Sequence, residues 1–258
     1  MKRIGVVALN TFREAVRDRV LYNLVFFALV MMAAAILVGQ ISIGIEQIVI
    51  VTLGLSAISV IGLLIAVFIG VGLVSKEIDK RTLYALLAKP LRRWEFLTGK
   101  FAGLVFTLAV NTAAMAVALF LALYHVKHSL ERTDIAVLVA VYFILLKLAL
   151  VVALAMLFSC FTTPLLAILF TAGLYVAGLF VYDMRGLKLY EMSPVLSTVL
   201  GSISYLLPNF QNFDVLGAAA HGRAIPGILI AQNTLYAALY CAIALIVASA
   251  IFSRRNLK

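Results

Sequence analysis

The feature that most constrains this chain is a series of six long apolar runs separated by polar segments. The runs cover residues 21–38, 48–74, 101–124, 135–158, 164–181 and 228–252. A helix needs about 20 mostly apolar residues to cross a hydrocarbon core of about 30 Å, and each run has roughly that length. Only 12% of the residues are charged, against about 25% in soluble domains. The sequence therefore predicts an all-α integral membrane protein with six transmembrane helices in one domain, residues 1–258.

The distribution of Lys and Arg predicts the orientation of the spans, because cytoplasmic loops carry an excess of these residues. With the amino terminus inside, segments 1–20, 75–100, 159–163 and 253–258 hold fifteen of the 21 Lys and Arg residues, and the outer segments hold five. We therefore expect a multi-pass protein of the cytoplasmic (inner) cell membrane with both termini in the cytoplasm. The net charge of +10 is then a topology signal, and we expect no nucleic-acid partner.

The first twenty residues carry apolar side chains at helical spacing, with basic residues largely on the other side. This pattern predicts an amphipathic helix in the headgroup plane, with its apolar face toward lipid and its basic face toward anionic headgroups. A plain cytoplasmic extension of the first span is the alternative. The candidate lipid-contacting residues are Phe12, Arg13, Arg17 and Arg19.

Two longer connections carry further information. In segment 75–100, Ile78, Leu83, Leu86 and Leu87 recur at helical spacing before Pro90, which predicts a cytosolic amphipathic helix between spans two and three. A solvated basic segment that serves only topology is the alternative. In the outer segment 182–227, Ser-Pro at 193–194 is followed by an apolar stretch, 195–207. That stretch is too short to span, so we expect a short helix in the outer leaflet or a re-entrant segment before span six.

Several kinds of chemistry are missing from the sequence. It has no P-loop, no HExxH motif and no nucleophile paired with a base in a span, so we expect no enzyme activity, no metal site and no cofactor in this chain. All acidic residues lie outside the spans or at their edges, whereas ion-coupled carriers usually place them inside. Energy for transport would therefore come from another subunit. Cys160 and Cys241 are interpreted as small apolar residues in helices.

Lys147 is the one charged residue in the middle of an apolar run. A charge at that depth is unfavourable and is usually functional. It would line a polar translocation path or contact an anionic headgroup. The alternative is a structural contact between helices, or a long side chain that reaches the interface.

Two groups of residues resemble a known family. NTFREAVRDRV (residues 10–20), directly before the first span, is similar to the interfacial elbow helix of exporter-type permeases of the ABC-2 superfamily. The residues from Glu77 through Pro90-Leu91-Arg92-Arg93 to Gly99-Lys100 resemble the coupling region of that class, usually E-x-x-x-G-T, L-L, P-x-x-R and G-K. Within that superfamily, the chain is similar to permeases of nitrous-oxide-reductase maturation and of gliding motility. The chain departs from the pattern at Arg81, where the family has a small residue before Thr.

The resemblance implies two copies of this chain, or one copy and a related permease, on two cytosolic ATPase subunits that bind ATP and Mg²⁺. Helix 82–89 would lie in a cleft of the ATPase as a helix-in-groove contact. The candidate ATPase-coupling residues are Glu77, Arg81, Thr82, Leu83, Leu86, Leu87, Lys89, Pro90, Arg92 and Arg93.

Two functional hypotheses follow. The first is the permease subunit of an ATP-driven ABC transporter that exports or extracts a lipidic, peptide or drug-like substrate. The second is a non-transporting membrane anchor or assembly factor, which transmits the ATPase-driven change to an extracytoplasmic protein partner through the outer segment 182–227. An integral membrane enzyme is the hypothesis that the sequence supports least.

Overall fold

The computed structural model describes residues 2–15, 44–79, 93–127, 134–181 and 207–254, together with residues 26, 27, 30, 31, 33, 34, 37 and 38. Within these ranges the protein is all-helical and has no strand. Seven α-helices and one 3-10 helix have defined bounds: α1 (Lys2–Ala15), α2 (Glu46–Asp79), α3 (Arg93–Lys127), α4 (Ile135–Ser159), α5 (Pro164–Leu179), the 3-10 helix (Phe210–Phe213), α6 (Leu216–Ala220) and α7 (Gly227–Arg254).

Four of these helices are long and apolar enough to cross a membrane. They are α2, α3, α4 and α7, with apolar stretches Glu46–Gly72, Trp94–Val126, Ile135–Ser159 and Gly227–Ser253. They correspond to predicted spans two, three, four and six, which are confirmed as long apolar helices. Predicted span five forms α5, a shorter apolar helix of 16 residues and about 24 Å. Predicted span one is described at eight residues only, so the six-span layout stays a prediction.

The helix α4 lies at the centre of the bundle. It packs against α2, α3, α5 and α7, and 67% of an apolar window of 18 residues within it is buried inside the protein, against 28% for the corresponding window of α7. Small residues permit these contacts: Gly62 of α2 lies beneath Leu148, and Gly70 lies beside Ala155. Because lipid provides little hydrophobic drive for helix association, close packing of this kind stabilises the bundle.

The terminal helices meet at one end of the bundle. Phe96, near the start of α3, stacks on Phe252, near the end of α7, with ring centroids 6.5 Å apart, and α1 packs on the same part of α3. We call this the α1 end. At the opposite end, Gly54 near the start of α2 lies against Leu119 near the end of α3. An even number of crossings predicts this placement of both terminal helices on one side.

Two predicted boundaries differ from the structure. The helix α2 continues to Asp79 and α3 begins at Arg93, so residues 75–79 and 93–100 are turns of long helices rather than parts of a separate connection. At the start of α3 the reason is burial, because Phe96, Leu97 and Lys100 are all buried. The predicted coupling helix, 82–89, lies outside the described residues, as does the apolar stretch predicted before Pro208.

Candidate functional site

Most of the predicted coupling residues lie outside the part of the chain that the structure describes. Arg81, Thr82, Leu83, Leu86, Leu87, Lys89, Pro90 and Arg92 belong to segment 80–92, and Arg17 and Arg19 precede the first described residues of span one. Glu77 lies in the last turns of α2, and Arg93 is the first residue of α3. The structure therefore fixes where segment 80–92 is attached: it joins α2 to α3 at the α1 end.

Directly after that segment, α3 presents a groove in which α1 lies. Gly99 and Gly103 are four residues apart and so share one face of α3. A Cβ at position 99 would be 2.8 Å from Val7 Cβ, and a Cβ at position 103 would be 2.5 Å from the carbonyl oxygen of Ala8. The backbones of α1 and α3 are therefore in direct contact, which only glycine permits at these two positions.

The contact continues along α1 for three turns. Thr11 is buried, and the ring of Phe12 lies 4.8 Å from that of Phe106 in α3, measured between centroids. The apolar stripe of α1, predicted to face lipid, thus packs on α3, because the glycine groove accepts it. The opposite face carries Val6 and Leu9, which are 69% and 51% exposed.

A third helix joins this end of the bundle. The buried Lys100 places its ammonium 5.2 Å from the centroid of the Phe96 ring, within the range of a cation–π contact. Phe96 in turn stacks on Phe252 of α7. The start of α3 is therefore held between α1 and the last turns of α7.

Lys147 lies in the middle of α4 and is 7% exposed. Its ammonium donates a hydrogen bond to Ser59 Oγ of α2 at 2.6 Å. The lysine thus joins two long helices.

Residues 207–220 pack into the opposite end of the bundle through polar contacts. The Asn209 N–H donates to Tyr236 Oη at 2.8 Å, and Asn233 Nδ2 donates to the Asn212 carbonyl oxygen at 3.0 Å. Both Tyr236 and Asn233 belong to α7. The 3-10 helix and α6 thus contact the bundle; they follow the stretch 195–207, where a short helix is predicted, and that prediction stays untested.

Asn111 of α3 is a buried polar residue that the sequence reading did not single out. It is 1% exposed, and among the residues that the structure describes neither its amide nitrogen nor its amide oxygen has a hydrogen-bond partner. One turn away, Thr107 lines a cavity of about 10 Å³ between α2, α3 and α4. A buried amide without a partner destabilises a protein by about 1–3 kcal/mol.

Sequence reasoning also missed the glycine groove and Ser59. The spacing Gly99-x-x-x-Gly103 is the pattern that permits close helix packing in membranes, so a search for it within segment 93–107 would have found the contact. Ser59 gives no comparable signal, because a single serine in an apolar run is ordinary. Within the described ranges, no group of three or more His, Cys, Asp or Glu residues could hold a metal ion.

A family model relates the chain to known proteins. No curated protein matches the chain. A family model described as "ABC-2 family transporter protein" matches residues 6–257, which is nearly the whole chain and includes most of α1, all four long apolar helices and α5. The chain therefore belongs to the ABC-2 family of transporter proteins.

Proposed function

We propose that this protein is the transmembrane permease subunit of an ATP-driven ABC transporter, and that a separate cytosolic subunit hydrolyses ATP. The observation that carries the proposal is the family match over residues 6–257. The apolar helices support it, because they supply the membrane-spanning part of such a transporter. Two ATPase subunits would bind ATP and Mg²⁺, and two permease chains, identical or related, would enclose the path.

The attachment of segment 80–92 supports a coupling role for it. This segment joins the two longest described helices, α2 with 34 residues and α3 with 35, at the end where α1 and the last turns of α7 meet. We place the α1 end on the cytoplasmic side of an inner membrane. Closure of an ATPase dimer on that side would displace the segment. Both helices would receive that displacement, and the path between the two permeases would change its access.

The substrate is proposed as lipidic, peptide or drug-like. Apolar side chains dominate the exposed surface of the long helices, for example Phe68, Phe106 and Leu121. Such a surface suits substrates that enter from the bilayer. Lys147 is buried against Ser59, so a place for it in the path would require a different arrangement of α2 and α4 during transport.

Purification from native membranes in mild detergent, followed by mass spectrometry, tests the proposal. We expect a cytosolic ATPase in stoichiometric amount. It should be lost when Leu83, Leu86 and Arg92 are replaced together by Ala. The matched control replaces Leu229, Leu235 and Arg223, exposed residues in or beside the first turns of α7 at the opposite end of the bundle, and should retain the ATPase. Absence of any ATPase, while other membrane complexes stay intact, would reject the permease function.

A second function is favoured by the polar docking of residues 207–220. An anchor or assembly factor would use residues 207–223, in which Asn212, His221 and Arg223 are exposed, to pass the ATPase-driven change to an extracytoplasmic protein. The ATPase rate of the purified complex separates the two functions. Stimulation by small apolar compounds supports transport, whereas stimulation only by a protein partner supports the anchor.

A further inference from the structure

We propose that Gly99 and Gly103 are positioning residues that join α1 and the first turns of α3 into one rigid body. When the ATPase displaces segment 80–92, α1 then moves together with α3 rather than hinging against it. This inference rests on the proposed permease function. It goes beyond that function because it assigns a role to two glycines and predicts which helices keep their relative positions during the cycle.

The first argument is the closeness of the two backbones. A Cβ at position 103 would meet the Ala8 carbonyl oxygen at 2.5 Å and the Ala8 Cα at 3.1 Å. These are backbone atoms of a helix, so they cannot rotate away as a side chain would. A Cβ at position 99 would likewise meet the Ile4 carbonyl oxygen at 3.1 Å. A larger residue at position 103 must therefore displace the α1 backbone, and one at position 99 must displace Val7, whose Cβ would lie 2.8 Å away.

The second argument is the length of the contact. It extends from Ile4 and Val7 at Gly99, through Ala8 and Thr11 at Gly103, to the Phe12 and Phe106 rings. Three successive turns of α1 are thus fitted to α3. Closely packed interfaces of this kind change between discrete arrangements rather than deforming gradually. A small displacement of α3 therefore moves α1 by the same amount.

The third argument is position. Arg93 begins α3 directly after segment 80–92, and Gly99 follows six residues later, about 9 Å along the helix axis. The α1 contact consequently begins within two turns of the place where the ATPase would act. The exposed face of α1, with Val6, Leu9 and Arg13, would then move with α3 relative to the surrounding lipid.

Other glycines provide a contrast within the same chain. A Cβ at Gly72 of α2 or at Gly173 of α5 would meet no atom within 4 Å. Both residues lie in apolar helices, so a Gly→Leu change there alters helix propensity and side-chain volume as it does at Gly103. They serve as matched controls, because a side chain at either of these two positions would not separate two helices.

Crosslinking tests the rigid body directly. Phe12→Cys and Phe106→Cys are introduced together, with Cys160 and Cys241 replaced by Ser and Ala, and a short cleavable bifunctional thiol reagent is added to membranes. We expect efficient crosslinking within one chain. The crosslinked protein, purified with its ATPase, should keep the complex's ATPase rate within about two-fold. Loss of that rate on crosslinking, with recovery when the linker is cleaved, would overturn the proposal.

The glycine variants complete the experiment. Gly103→Leu should lower the crosslinking yield several-fold, Gly103→Ala should lower it less, and Gly72→Leu and Gly173→Leu should leave it unchanged. An unchanged yield in a folded Gly103→Leu variant would contradict the glycine role. Because the yield is measured in membranes without added ATPase, it tests the α1–α3 contact even if no ATPase associates, a result that would reject only the proposed function.

Discussion

The two ends of the bundle share close apolar packing but differ in their polar contacts. At the α1 end, glycines and aromatic rings bring α1, α3 and α7 into close contact. At the opposite end, Gly178 likewise lies against Phe210, and residues 207–220 are held in addition by hydrogen bonds from Asn209 and Asn233. Close packing depends on shape along a whole interface, whereas a hydrogen bond depends on a few atoms. We infer that the α1 end suits transmission of force and that the opposite end suits the precise placement of one short segment.

The largest expected effect comes from filling the glycine groove. Gly103→Leu should destabilise the protein by about 3 kcal/mol, at the upper end of values for overpacking, because the added side chain meets the backbone of Ala8. Thermal unfolding in detergent measures the change. Gly173→Leu, which faces open space, should shift the midpoint little. Equal shifts for the two variants would show that the α1 end does not depend on close packing.

A smaller effect is expected midway between the ends, at Lys147. Ser59→Ala removes the hydrogen-bond acceptor of the ammonium and should destabilise the protein by about 2 kcal/mol, because a buried charge loses its partner. Lys147→Met in the same chain should restore most of that loss. The unfolding free energies of the two single variants and of the double variant form a double-mutant cycle. If the two effects simply add, an interaction between the residues is contradicted.

Replacing Asn111 tests whether its buried amide affects only the stability of the protein or also its function. Asn111→Leu should stabilise the folded protein by about 1 kcal/mol, since it removes a buried amide that has no partner among the described residues. The unfolding midpoint and the ATPase rate of the complex are measured together. Higher stability with a lower rate would show that the amide is used in another state of the cycle. Lower stability would show that it already has a partner, such as a water in the cavity beside Thr107.

The smallest effect is expected at the opposite end. Tyr236→Phe removes the hydroxyl that accepts the Asn209 N–H, which should reduce local stability by about 0.6 kcal/mol, the average for hydrogen bonds between helices in membranes. Hydrogen exchange should increase in residues 207–220 and stay constant in α1. An increase spread over both ends would show that they are not independent.

Much of the architecture could be predicted because the thickness of the bilayer sets the length of the apolar runs in the sequence. Long apolar runs predicted the four long helices α2, α3, α4 and α7, and the motifs at residues 10–20 and 77–100 predicted the family that the whole-chain match shows. Helix ends were less predictable. Residues 93–100 look polar enough for a connection, yet Lys100 is buried at the α1 end, which depends on α1 and α7 being near.

The candidate site was predictable only where a residue is unusual on its own. Lys147 stands out because a charge within an apolar run is rare, whereas its acceptor Ser59 and the buried Asn111 do not stand out. The partners of a residue are set by helix packing, which a single sequence does not encode locally. The glycine groove was predictable in part. The spacing of its glycines is visible in the sequence, but the sequence does not show that α1 lies in the groove.

The most direct test of the central claim is site-specific photocrosslinking in living cells. A photoreactive amino acid at Leu86, in segment 80–92, should capture a cytosolic protein with P-loop motifs. The same amino acid at His221, exposed beside α6 at the opposite end, should not capture it. Capture of the ATPase from Leu86 alone is the predicted result. Capture of no ATPase from Leu86, or of the same ATPase from His221, would contradict the assignment of this chain as an ATP-driven permease coupled through segment 80–92.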